Sequence, residues 1–205
     1  GRSSLLPNSP WPWASSLAPP TTEGPESPAG PFLMAAPSGI RICFVCLGNI
    51  CRSPMAAAIL RHRLYEAGLA DAVTVESAGT GRWHVGGPAD PRTLAALRNR
   101  GLDADDHRAR QFTSASFDDY DLVLALDRDN MAELHLLAPD DGSRTKIQML
   151  RAYDPIALAS GDLDVQDPYY GGDDGFDRVI DQIDPAVDGL VQTLRRELDD
   201  ESRPR

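Results

Sequence analysis

From Ile40 onward the sequence predicts an α/β fold: three layers, with a central four-stranded parallel sheet and helices on both faces. Three observations predict it. Strand-like apolar runs alternate with helical stretches, the pattern of a parallel sheet covered by crossover helices. The 205 residues suffice for one sizeable core with length to spare. A hydrophobic content of 41% and a charged content of 25% are ordinary for a globular chain.

The elements follow in order. "IRICFVC" (40–46) reads as a buried strand, and "SPMAAAILRHRLYEAGL" as a helix. Pro54 suits the first helical turn, where its missing N–H costs nothing, and Ser53 is the expected cap. "AVTVESA" is the second strand, and "DPRTLAALRNRG" a helix that stops at Gly101. "YDLVLALD" is the third strand, followed by the helical "RDNMAELHLLA", and "KIQML" is the fourth. "DDGFDRVIDQIDPAVDGLVQTLRRELDD" closes the chain as a long helix with a perturbation expected at Pro185. Sites in such sheets lie at the carboxyl ends of the strands, which is where Cys46 falls.

Residues 1–38 differ from the rest. They hold nine of the seventeen prolines, show no helical or strand period, and lack the basic and apolar regions of a signal peptide. A disordered leader or linker is expected there, with Met34 a candidate start, a folded domain over 39–200 and a disordered tail over 201–205.

Charge and cysteine usage exclude several function classes. A net charge of −11 without a lysine/arginine-rich run argues against nucleic-acid or anionic-membrane partners, which need clustered positive charge. No apolar stretch approaches the roughly 18–20 residues that span a bilayer. All three cysteines fall between residues 43 and 51, unlike a secreted disulfide framework, so a cytoplasmic setting is expected.

The chemistry concentrates in "CLGNICR" (46–52), where a strand gives way to a helix. Backbone N–H groups there can converge on an anion, and the helix N-terminus adds partial positive charge. Gly48 and Asn49 tolerate the backbone angles of a tight anion-binding nest. The planar fork of Arg52 suits two oxygens of a phosphoryl group. The same groups stabilise a thiolate on Cys46, so the loop both binds an oxyanion and presents a nucleophile to it. Cys43, on the strand, is expected to be core.

"VCLGNICRSP" resembles the signature of the low-molecular-weight protein tyrosine phosphatases, and the resemblance extends over residues 40–198. "SAGTGRWHVGGPADPR", "HRARQ", "LALDRDN" and "DPYYG" fall in the family's order and spacing. It implies a flavodoxin-like fold and hydrolysis of phosphotyrosine through a phosphocysteine, with no metal or organic cofactor. Residues 1–45 contain no aspartate, so a general acid must come from downstream, where Asp154 and Asp167 both precede proline. The resemblance places it at Asp167. It also implies that amides of Leu47, Gly48, Asn49, Ile50, Cys51 and Arg52 hold phosphate. Ser53 is then expected to hydrogen-bond the thiolate, and Asn49 to brace the loop through Ser77 and His107. Leu47, Trp83, Tyr169 and Tyr170 are the expected pocket residues.

Tyrosine-phosphorylated proteins are thus the implied substrates, and a tyrosine kinase acting on Tyr169 or Tyr170 an implied partner. Cys51, five residues from Cys46, fits a reversible disulfide that shields the nucleophile. Arsenate reductases of the same fold need relay cysteines downstream, and none follows Cys51. Protein arginine phosphatases tend to carry threonine where Ile50 stands. A binding-only relative would lack Cys46, Arg52 or Asp167. Ala57 stands where the family commonly has an acidic residue, a departure expected to touch stability rather than chemistry.

Overall fold

Side chains of a strand alternate between faces, and in Ile40–Cys46 only Arg41 escapes burial, so this strand must be covered on both sides. The computed structural model describes residues 39–172 and 174–201; segments 1–38 and 202–205 lie outside the described residues. Strands β1 (Ile40–Cys46), β2 (Val73–Gly79), β3 (Leu122–Ala125) and β4 (Ile147–Met149) form one sheet, ordered β2-β1-β3-β4, with every pairing parallel. This is the flavodoxin-like order. The chain leaves β1 in one direction for β2 and later crosses back for β3, so the carboxyl end of β1 opens onto the crevice where the winding reverses.

Helices α1 (Arg52–Glu66), α2 (Pro91–Asn99), α3 (Arg128–Leu137) and α6 (Asp174–Glu201) lie at the positions the sequence pattern predicts. Leu134 and Ala138, at the end of α3, pack on Cys43, Val45, Val123, Ala125, Ile147 and Met149, which share one face of the sheet. Ile42, Phe44, Leu122 and Leu124 alternate onto the opposite face, where α1 lies against β1 and β2, and α6 lies against α1. Cys43 is fully buried. Ala57 is likewise fully buried in α1, a place where an ionised side chain would need a partner.

The capping pattern departs from expectation at one helix. Asp90 caps α2, its carboxylate accepting from Arg92 N at 2.8 Å, and Asp127 caps α3, accepting from Asn130 N at 2.6 Å. Gly101 follows α2 with φ of 72°. Helix α1, however, starts one residue before Ser53, with Cys51 at the cap position and no side-chain cap. Ser53 is therefore not the cap: its hydroxyl is occupied elsewhere, and the first-turn amides are left for a ligand.

Two short helices, α4 (Asp141–Thr145) and α5 (Pro155–Ser160), and 3₁₀ turns at Ser114–Asp119 and Leu150–Tyr153 complete the order. Asp154 caps α5 by accepting from Ile156 N at 2.9 Å, a structural use of the aspartate that rivalled Asp167. Helix α6 continues unbroken through Pro185 and reaches Glu201, one residue into the expected tail. Fully buried Ile183, Ala186, Val187 and Leu190 hold it in place across the proline.

Gly189 lets α6 approach the turn before α5. A Cβ there would stand 2.0 Å from the Tyr153 carbonyl oxygen. Alanine gains up to about 1 kcal/mol of helix propensity over glycine, but overlap with backbone cannot be relieved by side-chain rotation. Gly189→Ala is therefore expected to lower stability by about 1–3 kcal/mol, read as a lower urea midpoint with an unchanged slope.

Candidate active site

Cys46 is the last residue of β1, and the chain reaches α1 after five residues. Asn49, with φ of 55°, is the one non-glycine residue in the left-handed region among the described residues. It turns the loop so that its own N–H points at Cys46 Sγ, 3.3 Å away. Gly48 serves differently from expectation. Its φ is not positive, and what it supplies is room, since a Cβ would lie 3.2 Å from His84 Cδ2. Gly79 at the end of β2 is more tightly confined, because a Cβ there would meet Leu47 O at 2.6 Å.

The buried Asn49 side chain braces the loop from behind. Its Nδ2 donates to Ser53 Oγ and Ser77 Oγ, both at 2.9 Å, and its Oδ1 accepts from Arg110 N at 2.9 Å. The Asn49 carbonyl accepts from His107 Nε2–H at 2.7 Å. Burial, with the neighbouring arginines, holds His107 below its ordinary titration range. Ser53 Oγ lies 3.0 Å from Cys46 Sγ and 3.2 Å from the Ala78 carbonyl. Its single proton can serve either acceptor, and a thiolate is the stronger one.

Arg52 is buried at the N-terminus of α1, and its guanidinium faces two carboxylates. Nη1 pairs with Asp127 and donates to Val165 O at 3.1 Å, while Nη2 donates to Asp167 Oδ2 at 2.7 Å. Burial works against this charge, but Cys46, Asp167 and Asp127 outweigh it and hold the ion firmly protonated. Asp167 is half-exposed, and its Oδ1 accepts from Tyr169 N at 3.0 Å.

These groups open onto a cavity of about 330 Å³. It brings together Cys46, Leu47, Gly48, Ile50, Cys51, Arg52 and Asp167 with the aromatic walls Trp83, Tyr169 and Tyr170. Asn49, Ser53, Ser77 and His107 stand behind the loop rather than in the cavity. Tyr169 and Tyr170 meet edge to face at 5.0 Å, with Tyr170 96% exposed. Cys51 is a free thiol, and burial, with the Asp90 charge, pushes it up to about 12.

Sequence reasoning missed four residues of this architecture: Asp127, His84, Arg110 and Arg92. Asp127 follows β3 at the same carboxyl edge as Cys46, a position that could have revealed it. His84 joins the cavity wall beside Trp83. Arg92 reaches from α2, its Nη2 donating to the Tyr169 carbonyl at 3.2 Å and its Nη1 to the Gly171 carbonyl at 3.3 Å, while Asp90 accepts from its Nε and Nη2 at 3.0 and 2.9 Å. Asp90 N in turn donates to Ile50 O at 2.8 Å. The loop bearing Asp167 is thereby tied to the loop bearing Cys46.

Comparison with known proteins agrees with this geometry. The profile of the low molecular weight phosphotyrosine protein phosphatases matches residues 41–200. A low molecular weight protein-tyrosine-phosphatase of Streptomyces coelicolor is 50% identical over 159 residues, covering 78% of this chain and 96% of that protein. The crystal structure of YfkJ from Bacillus subtilis superposes with a TM-score of 0.72 at 37% identity, over 78% of this chain and 97% of that one. A protein tyrosine phosphatase from Entamoeba histolytica does so at 0.72 and 35% identity, over 77% and 98%.

His107 gives a pH signature. Because its folded pKa lies below the ordinary 6.5, the unfolded chain binds the proton more readily in the window between the two values. The contribution of neutral His107 is fully present above about pH 6.5 and is lost as pH falls through the folded value. The stability difference between wild type and His107→Gln is expected to shrink over that interval, measured by denaturant unfolding at successive pH values.

Proposed function

The chain belongs to the low molecular weight phosphotyrosine protein phosphatase family, and on that premise we propose that Cys46 is its nucleophile, Arg52 with the loop amides its phosphate clamp, and Asp167 its general acid and base. The protein is a protein-tyrosine phosphatase, a hydrolase of phosphotyrosine in proteins, and the chemistry of its family runs through a cysteine. The observation that carries the residue assignment is the convergence on Cys46 Sγ. A backbone N–H at 3.3 Å and the Ser53 hydroxyl at 3.0 Å reach it at the floor of a cavity that Arg52 and Asp167 also line.

In the proposed reaction the Cys46 thiolate attacks phosphorus in line, and the P–O bond to tyrosine breaks as the P–S bond forms. Asp167 gives its proton to the departing tyrosine oxygen. Water, deprotonated by Asp167, then attacks phosphorus and releases phosphate, returning the electron pair to sulfur. The Ser53 hydroxyl steadies the thiolate as it leaves. Arg52 and the amides of residues 47–52 take the charge on the equatorial oxygens. A phosphoryl dianion on Arg52 competes for the Nη2 donor that Asp167 holds at 2.7 Å, which frees the carboxyl group to move toward the leaving oxygen. Trp83 and Tyr169 flank the substrate ring, with Leu47 and Tyr170 at the rim.

We extend the reading to regulation and setting. Residues 39–200 form the catalytic domain. Peroxide converts Cys46 to a sulfenic acid, and attack by Cys51 on that sulfur expels water and forms a disulfide that a thiol reductant reopens. Cys51 rests as a thiol, so it does not compete for substrate. Three free cysteines suit a reducing cytoplasm, and among the described residues no helix is long and apolar enough to cross a membrane. The exposed Tyr170, or its neighbour Tyr169, is offered to a tyrosine kinase.

Matched phosphotyrosine, phosphoserine and phosphoarginine peptides test the substrate and the residues together. Wild type should prefer phosphotyrosine, Cys46→Ser should show no turnover, and Asp167→Asn should lose kcat by about 100- to 10,000-fold. Full activity in Cys46→Ser, or preference for another phosphoresidue, refutes the assignment. For the redox reading, peroxide followed by a thiol should abolish and restore wild-type activity. Cys51→Ser should start active and fail to recover; equal recovery would remove Cys51 from the scheme.

A further inference from the structure

Beyond the cavity, Leu47 and Trp83 also line a second concavity, of about 250 Å³, on the side of the site toward α3. Thr80 and Gly81 line it together with Glu133, Leu136 and Leu137 of α3. Leu136 is 87% exposed and Trp83 73%, two large apolar side chains that the fold itself does not use.

The groove is held at a fixed distance from the chemistry. Gly81 N donates to Leu47 O at 2.9 Å, and Thr80 N donates to Cys46 O at 2.9 Å. The Trp83 ring lies directly on Gly81, where a Cβ would stand 1.9 Å from the ring. On the other side, Asp127 caps α3 with one oxygen and pairs with Arg52 through the other. Helix spacing then puts Glu133, Leu136 and Leu137 on the side of α3 that lines the groove. Both walls are thus anchored to the residues that hold phosphate.

We infer that this groove is a substrate subsite that takes the apolar side chain of a residue flanking the phosphotyrosine, and that Leu136 is a specificity-determining residue. The inference rests on the phosphotyrosine-hydrolase reading of the cavity next door. Continuity argues for this occupant: a polypeptide whose phosphotyrosine ring lies between Trp83 and Tyr169 leaves the cavity across its rim, where Leu47 and Trp83 face both the cavity and the groove. The groove has room for one large aliphatic or aromatic side chain. Glu133 in its lining, on a chain of net charge −11, opposes an acidic one.

The test uses phosphotyrosine peptides that differ only at one flanking position, scanned from two residues before to two after, bearing Leu, Ser or Asp. Free phosphotyrosine is measured alongside, and wild type is compared with Leu136→Ala and Leu136→Glu. At one position the Leu peptide should exceed the Ser peptide in kcat/KM by about tenfold, as expected for a side chain entering an apolar pocket, and Asp should be poorest. The Leu/Ser ratio should fall in Leu136→Ala and approach one in Leu136→Glu. A ratio near one at every position in wild type, or a ratio that survives Leu136→Glu, overturns the subsite. So does a wild-type dimer in sedimentation that Leu136→Glu dissociates, which would assign the groove to a second copy. Failure of wild type to hydrolyse free phosphotyrosine would instead overturn the cavity reading, and the subsite with it.

Discussion

The site depends on one residue held in a conformation that most side chains avoid. Asn49 sits at φ of 55°, where asparagine pays less than other non-glycine residues, and its carboxamide is wholly buried. Both amide hydrogens, the side-chain oxygen, the backbone carbonyl and the backbone N–H all find partners: Ser53, Ser77, Arg110, His107 and Cys46. A buried polar group satisfied this fully specifies a single arrangement, because any alternative leaves several of those partners unmatched. Glycine would permit the angle yet supply none of the side-chain bonds. The loop is therefore held in one arrangement by its own bonds, and in the proposed reaction its amides need no reorganisation when charge develops on phosphorus.

Charge balance explains the second tier. Burying a guanidinium is costly unless it is paired and fully hydrogen-bonded, and Arg52 has two aspartates and a carbonyl around it. The aspartates differ in freedom. Asp127 is fixed, because the same carboxylate caps α3. Asp167 is half-exposed on a loop and shares Arg52 only in part, which suits the movement proposed for it. Arg92 limits that freedom by holding the Tyr169 and Gly171 carbonyls, so Asp167 belongs to a tethered segment.

Much of this was legible in the sequence, and the remainder was hidden for a physical reason. Strands, the four principal helices and the strand–loop–helix around Cys46 announce themselves through local period and turn residues. Asp127 did not: its place after β3 is its one signal, because its partner Arg52 is 75 positions away and its immediate neighbours read as a helix cap. The cap expected at Ser53 fails for a related reason, while the contact with Cys46 that the resemblance implies is present. A serine before a helical proline looks like a cap, and the fold shows its hydroxyl engaged instead by Cys46, Asn49 and Ala78. Gly48 was assigned conformational freedom when the constraint is the neighbouring His84 ring, again a long-range contact. Helices α4 and α5 are too short to show a period.

The bracing of the loop reaches the sheet itself, which explains why rigidity and recognition separate in this molecule. Arg110 gives its backbone N–H to Asn49, and its guanidinium holds Ser77 O at 2.8 Å, Glu76 at 3.0 Å and the Tyr120 hydroxyl at 2.6 Å. Burial opposes the charge on Glu76, yet Tyr120 and Arg110 hold its carboxyl below the usual range. Tyr120 packs on Phe112, whose ring meets Phe117 edge to face at 5.0 Å, within the core on the α3 side of the sheet. The cradle thus draws its rigidity from the most buried part of the domain. The rim residues Trp83, Leu136 and Tyr170 are mostly exposed and contribute little to that core. On the proposed reading they can vary without disturbing Cys46, which leaves substrate choice to the rim and catalysis to the sheet-anchored loop.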